Sequence, residues 1–228
     1  MYMVLISHKH KFIYIKNKKV AGSSVESLFG KYCCCDEKSY TYIDKQKPKI
    51  DECGIIGSRG YGGKFEFHGH LKAAEILKKN ILDKNKFNNY FKFCVVRNPW
   101  DALVSRYFYY IGRCKEKKLK EHIYKIDFKK WVKIFNLEEQ NNWNIYTIDD
   151  KPICDFYIKY ENLKEDIISV FKKLNIKNYD INNLPNHKTK YRRDKKHYSY
   201  YYDEELKDIV YNKFKKEIDY FNYKFEKF

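Results

Sequence analysis

Apolar residues in this chain gather into short runs, each followed by a polar turn and then a helical pattern. The run Phe12-Ile13-Tyr14-Ile15 predicts a buried strand over 11–16. Ser23 or Ser24 can cap the helix that follows, which extends to about Phe29. Tyr90-Phe91-Lys92-Phe93-Cys94-Val95-Val96 is almost continuously apolar, the pattern of a strand covered on both faces in a parallel sheet. Pro99 suits the first turn of the next helix, which reaches about Ile111. Further helical patterns fall at 71–79 and at 127–136, where Phe128, Trp131, Val132 and Phe135 share a face. A strand over 154–159, a helix capped by Asn162 and reaching about Leu174, and a closing helix over 203–220 complete the pattern. Residues 31–66 read as a long irregular excursion, with Gly54, Gly57, Gly60, Gly62 and Gly63 late in it. Residues 178–202 read as a basic, tyrosine-rich loop. Strands alternating with helices predict an α/β fold built on a mostly parallel sheet. No Pro/Gly/Ser-rich linker divides the 228 residues, so a single domain over 1–228 is expected.

Composition changes this picture in three ways. Hydrophobic residues at 43%, with aromatics at 18%, are enough for a sizeable core. No apolar run approaches the ~20 residues of a membrane span, and Met1–Ser7 is too short an apolar run for a secretory signal. A soluble protein in the cytoplasm or another intracellular compartment is therefore expected. Lys and Arg total 47 against 30 Asp and Glu, a net charge of +17, and a field of that sign attracts anions. A coding bias toward lysine accounts for the charge equally well. The seven cysteines are odd in number and form no C-x-x-C framework, so free thiols in a reducing compartment are expected, with Cys94 in the core. No metal-binding constellation is legible.

Two strand-to-helix turns carry the candidate chemistry. The first is Lys18-Lys19-Val20-Ala21-Gly22-Ser23-Ser24. Backbone N–H groups and the helix dipole favour an anion at such a turn. Gly22 permits close approach, Ser23 and Ser24 offer hydroxyls, and Lys19 offers charge. The segment is not G-x-x-x-x-G-K-[ST], which disfavours a P-loop kinase. By itself it reads equally as a plain helix cap. The second turn runs from Arg97 through Asn98-Pro99-Trp100-Asp101 to Ser105, eight residues after the arginine. An Arg can fork onto phosphate oxygens, although a lone one in a turn is often structural. Two cationic turns in one sheet point to a ligand with two phosphate-like groups.

These two segments, with Asp155-Phe156-Tyr157-Ile158-Lys159-Tyr160-Glu161-Asn162-Leu163 and the stretches Tyr201–Glu205 and Asp219–Phe225, resemble the sulfotransferases that use 3′-phosphoadenosine 5′-phosphosulfate (PAPS). The likeness runs from about residue 11 to the end and is closest to the carbohydrate O-sulfotransferase branch. It implies the P-loop-NTPase-like sulfotransferase fold, a central mostly parallel sheet flanked by helices. By the resemblance, Lys19 contacts the phosphosulfate bridge, and Ala21, Gly22, Ser23 and Ser24 surround the 5′-phosphate. Arg97 and Ser105 hold the 3′-phosphate. The basic stretch with Lys188, Lys190, Tyr191, Arg192 and Arg193 closes over the nucleotide. Lys18 stands where the family often has Pro, and Lys159 where it usually has Arg. Neither change removes a charge the transfer needs.

Phe67-His68-Gly69-His70-Leu71 resembles the H-G-H segment of the uronosyl 2-O-sulfotransferases, in which the second His is the base. Matched by position, that residue is His70. His68 and Glu66 are weaker candidates, and His70 as a simple helix cap remains an alternative. A His suits the task, since its ordinary pKa lies near ~6.5. The resemblance implies transfer of a sulfuryl group from PAPS to a hydroxyl, on a glycan or another acceptor, with release of 3′,5′-ADP and no metal. The 31–66 excursion and the basic 112–125 segment are expected to shape the acceptor cleft, their positive charge suiting an acidic chain. The rival reading is a non-enzymatic nucleic-acid-binding protein that uses the basic, tyrosine-rich 188–202 stretch. No RNP, KH, helix-turn-helix or zinc-finger pattern supports it.

Overall fold

A computed structural model describes residues 4–61, 64–65, 71–182, 184–185, 187, 191–192, 194 and 196–228. The chain forms two compact units, Met1–Val96 with Trp143–His187, and Arg97–Asn142 with Lys188–Phe228. The first unit opens with β1 (Val4–Ser7), β2 (Phe12–Ile15), α1 (Gly22–Phe29), β3 (Lys49–Asp51), β4 (Gly54–Ile56), α2 (Ala73–Lys78), α3 (Lys84–Asn89) and β5 (Phe91–Val96). The second takes α4 (Pro99–Glu116), α5 (Glu121–Tyr124) and α6 (Phe128–Ile134). The first resumes with α7 (Trp143–Tyr146), β6 (Thr147–Ile148), β7 (Lys151–Pro152), β8 (Phe156–Lys159) and α8 (Leu163–Lys173), and α9 (Glu204–Phe221) closes the second.

The first unit is a six-stranded sheet in the order β3-β4-β1-β2-β5-β8, flanked by helices. β2 pairs parallel with β5, and β5 parallel with β8. The expected parallel arrangement thus holds for the strands that lead into helices, while β1, β4 and β3 extend the sheet by antiparallel pairing. Parallel strands end at a common edge, where α/β sheets bind ligands. There the Asn17 amide donates to the Val95 carbonyl (2.8 Å), tying the end of β2 to the end of β5. One apolar core packs α1 and α8 on the sheet, through Val25, Leu28 and Phe29 and through Ile167, Val170 and Phe171. Phe29 stacks on Phe171 at 4.5 Å, so two distant helices share one aromatic contact.

The 31–66 excursion is more ordered than its sequence suggests. It contains β3 and β4, two strands of the main sheet. Gly54 has to be glycine, since a Cβ there would collide with the Ile6 carbonyl and lie 2.8 Å from that of Cys33. The β3–β4 hairpin also brings Cys53 to Cys35, and the two form a disulfide with Cα atoms 5.1 Å apart. This corrects the expectation of free thiols at those two positions. The bridge crosses 18 residues of chain, which a search for C-x-x-C spacing does not see. Cys33, Cys34, Cys94 and Cys114 are buried and form no disulfide, and burial pushes the Cys33 and Cys34 thiols up from their ordinary pKa. Glu52 lies beside the bridged pair, whose sulfurs are bonded to each other rather than available to a metal ion.

The second unit packs Trp100, Leu103 and Val104 of α4 against Trp131 and Val132 of α6 and Leu206, Val210, Phe214 and Ile218 of α9. α4 continues past Ile111 to Glu116. Asn98 caps it, its Oδ1 accepting from the Trp100 N–H at 3.1 Å, with Pro99 at its start. Among the described residues, no helix is long and apolar enough to cross a membrane.

Candidate active site: two anion loops

The first loop joins β2 to α1. Ser23 and Ser24 do not cap α1, as the sequence suggested, but lie inside its first turn. Ala21 holds the cap position with a left-handed backbone, φ 60° and ψ 18°, and Lys19 is left-handed as well, at φ 60°. A non-glycine residue in that region costs about 1–2 kcal/mol, and such strain gathers at functional sites. As at the start of any α-helix, the N–H groups of the first turn of α1 point back toward this loop.

Lys16, Glu26 and Arg59 lie beneath that turn, and the sequence reading selected none of them. Lys16 Nζ lies 2.5 Å from Glu26 Oε2 and 3.4 Å from Ser23 Oγ. Arg59 donates from Nε to Glu26 Oε1 at 3.0 Å and pairs with it again through a terminal nitrogen. Glu26 and Arg59 are fully buried and Lys16 nearly so. The Tyr42 ring covers the Arg59 guanidinium at 3.7 Å, and His187 stacks on Tyr42 at 4.2 Å. The His187 backbone N–H donates to Ser24 Oγ at 3.4 Å. Desolvation raises the Tyr14, Tyr40 and Tyr42 phenols above their ordinary pKa, so each is a neutral hydroxyl around the cluster. One signal was available beforehand: Glu26 sits among otherwise buried positions of a short helix, where a carboxylate requires a partner.

The second loop opens α4. Arg97 is nearly buried and donates from Nε to Asp101 Oδ2 at 2.8 Å, one turn into the helix. Arg192 donates to the other oxygen of the same carboxylate at 2.9 Å and to the Lys196 carbonyl at 2.5 Å. Asp101 therefore orients two guanidinium groups from distant parts of the chain. Ser105 is half-buried and stands one turn beyond Asp101 on the same face. The segment carrying Arg192 lies close against α4, where a Cβ at Gly112 would collide with the Tyr191 ring. The Tyr191 hydroxyl donates to Glu116 at 3.0 Å.

The structure thus places Lys19, Ala21, Gly22, Ser23 and Ser24 in one strained loop, and Arg97, Ser105 and Arg192 around the first turns of α4. His70, the expected base, and its alternatives His68 and Glu66 lie outside the described residues, as do Lys188, Lys190 and Arg193.

The family model for the sulfotransferase family matches residues 2–224, and the chain belongs to that family. An uncharacterized protein of Archaeoglobus fulgidus is 37% identical over 101 residues, which is 43% of this chain and 78% of that protein. No solved structure gives a significant match.

Proposed function

We propose that this sulfotransferase takes its sulfuryl group from PAPS and delivers it to a hydroxyl, with a glycan as the favoured acceptor. The observation that supports this most is the meeting of Arg97 and Arg192 at Asp101. Two oriented guanidinium groups at a helix start, with the Ser105 hydroxyl one turn further on, suit a phosphate monoester such as the 3′-phosphate of PAPS. The strained loop with Lys19, Ala21, Gly22, Ser23 and Ser24 suits the 5′-phosphosulfate. In the reaction the acceptor oxygen attacks sulfur, the bond from sulfur to the bridging phosphate oxygen breaks, and 3′,5′-ADP departs. Lys19 balances the charge that develops on that oxygen, and His70 takes the acceptor's proton. Positioning and charge stabilisation supply most of the rate, as in phosphoryl transfer. The net charge of +17 favours acidic acceptor chains.

Thermal unfolding with 3′,5′-ADP, with ATP and single-stranded DNA as controls, tests this reading. A ligand at ~100 times its Kd adds ~2.7 kcal/mol to stability. The expected result is stabilisation by 3′,5′-ADP alone, lost in Lys19→Ala and Arg97→Ala. Stabilisation by DNA alone would favour nucleic-acid binding and sink the PAPS reading.

A further inference from the structure

Arg192 belongs to no helix or strand, yet its guanidinium is held on three sides. One terminal nitrogen donates to Asp101 Oδ1 at 2.9 Å and the other to the Lys196 carbonyl at 2.5 Å. Its Nε lies 3.8 Å from Asp194 Oδ1, an ion pair too long for a hydrogen bond. Asp194 Oδ1 is withdrawn from water and accepts no hydrogen bond, so the facing guanidinium is what compensates its charge. The other oxygen, Oδ2, accepts from the Tyr201 hydroxyl. Tyr201 in turn ends the 3₁₀ turn Tyr198–Tyr201, and its ring meets Phe108 of α4 edge-on at 5.6 Å and Phe128 of α6 at 5.8 Å. Burial, and then the bond to Asp194, raise its phenol above the ordinary pKa, so the donor keeps its proton. A chain of contacts thus runs from the aromatic core of the second unit through Tyr201 and Asp194 to Arg192.

A long side chain on an irregular segment loses rotamer freedom when it grips a ligand, unless the protein has already fixed it. Asp194 does not serve as a phosphate ligand, since like charges repel. We infer that Tyr201 and Asp194 are positioning residues, which fix the Arg192 guanidinium for the 3′-phosphate of the nucleotide without touching the ligand themselves. This rests on the PAPS reading.

The test compares two nucleotides that differ only at the 3′ position. Kd for 3′,5′-ADP and for adenosine 5′-monophosphate is measured by calorimetry on wild type, Tyr201→Phe, Asp194→Asn, Arg192→Ala and the double variant of Tyr201→Phe with Arg192→Ala. Tyr201→Phe keeps the ring and is expected to weaken 3′,5′-ADP about fivefold while leaving the monophosphate within about twofold. Asp194→Asn is expected to weaken 3′,5′-ADP as well, whereas a carboxylate acting by charge alone would tighten it on being neutralised. Once Arg192 is alanine, Tyr201→Phe is expected to have no further effect. Equal weakening of both nucleotides, unchanged or tighter binding of 3′,5′-ADP in either single variant, or an undiminished effect of Tyr201→Phe without Arg192 would overturn the inference. Failure of the wild type to bind either nucleotide would remove the PAPS reading itself, and the inference with it, before any variant is compared.

Discussion

Lys19 and Ala21 show how a residue type and a backbone state can disagree for a reason. Both occupy the left-handed region without being glycine. Replacing Ala21 by Gly removes the Cβ penalty, so Ala21→Gly is expected to raise unfolding stability by about 1 kcal/mol in urea titration. An unchanged or lower stability would mean that the loop is not strained there. The sequence displays the lysines, serines and glycine of this loop, because cations and hydroxyls at a turn suggest an anion by type alone. It does not display the left-handed bends, which tertiary packing imposes. Nor does it pair Lys16 with Glu26 and Arg59, because contacts across 10 and 33 residues of chain leave no local periodicity. Asp101 falls between these cases. It stands in a segment already selected, yet only the fold shows it shared by two arginines.

At the scale of elements, long apolar runs are legible and short ones are not. β2, β5 and the helices after them fall where hydrophobic patterning places them, since four or five consecutive buried residues leave a clear trace. β3 and β4 have three residues each, too few for any period, and are fixed by the pairing of β4 with β1 and of β3 with β4. The Cys35–Cys53 bridge closes 18 residues of chain across this hairpin. A loop of that length restricts the unfolded chain enough to contribute about 3 kcal/mol. Reduction by a small dithiol is therefore expected to lower stability by about that amount, and Cys53→Ser to reproduce the loss and abolish the response to reductant. Equal stability with and without reductant would show that the bridge does not constrain the chain.

The whole molecule carries a charge of +17, and its positive groups repel one another at low salt. Exposed pairs such as Lys129 with Asp203 and Glu205, or Lys133 with Glu205, offset part of this, each by a small amount. Salt screens repulsion and attraction alike, so the larger of the two decides the sign. The excess of cations makes repulsion the larger, and Tm is expected to rise as NaCl goes from about 0.02 to about 0.5 M. A falling Tm would show that the surface pairs prevail over the net charge.

The buried Lys16–Glu26–Arg59 cluster also limits the routes by which this sequence can drift. Losing Arg59 first leaves one lysine facing one carboxylate, a balanced pair. Losing Glu26 first takes away the carboxylate that Lys16 and Arg59 share out of water, the costlier of the two first steps. The two substitutions are therefore not interchangeable in order. An arginine lost before the glutamate is therefore expected to cost less stability than the reverse order, a directional form of epistasis written into three side chains.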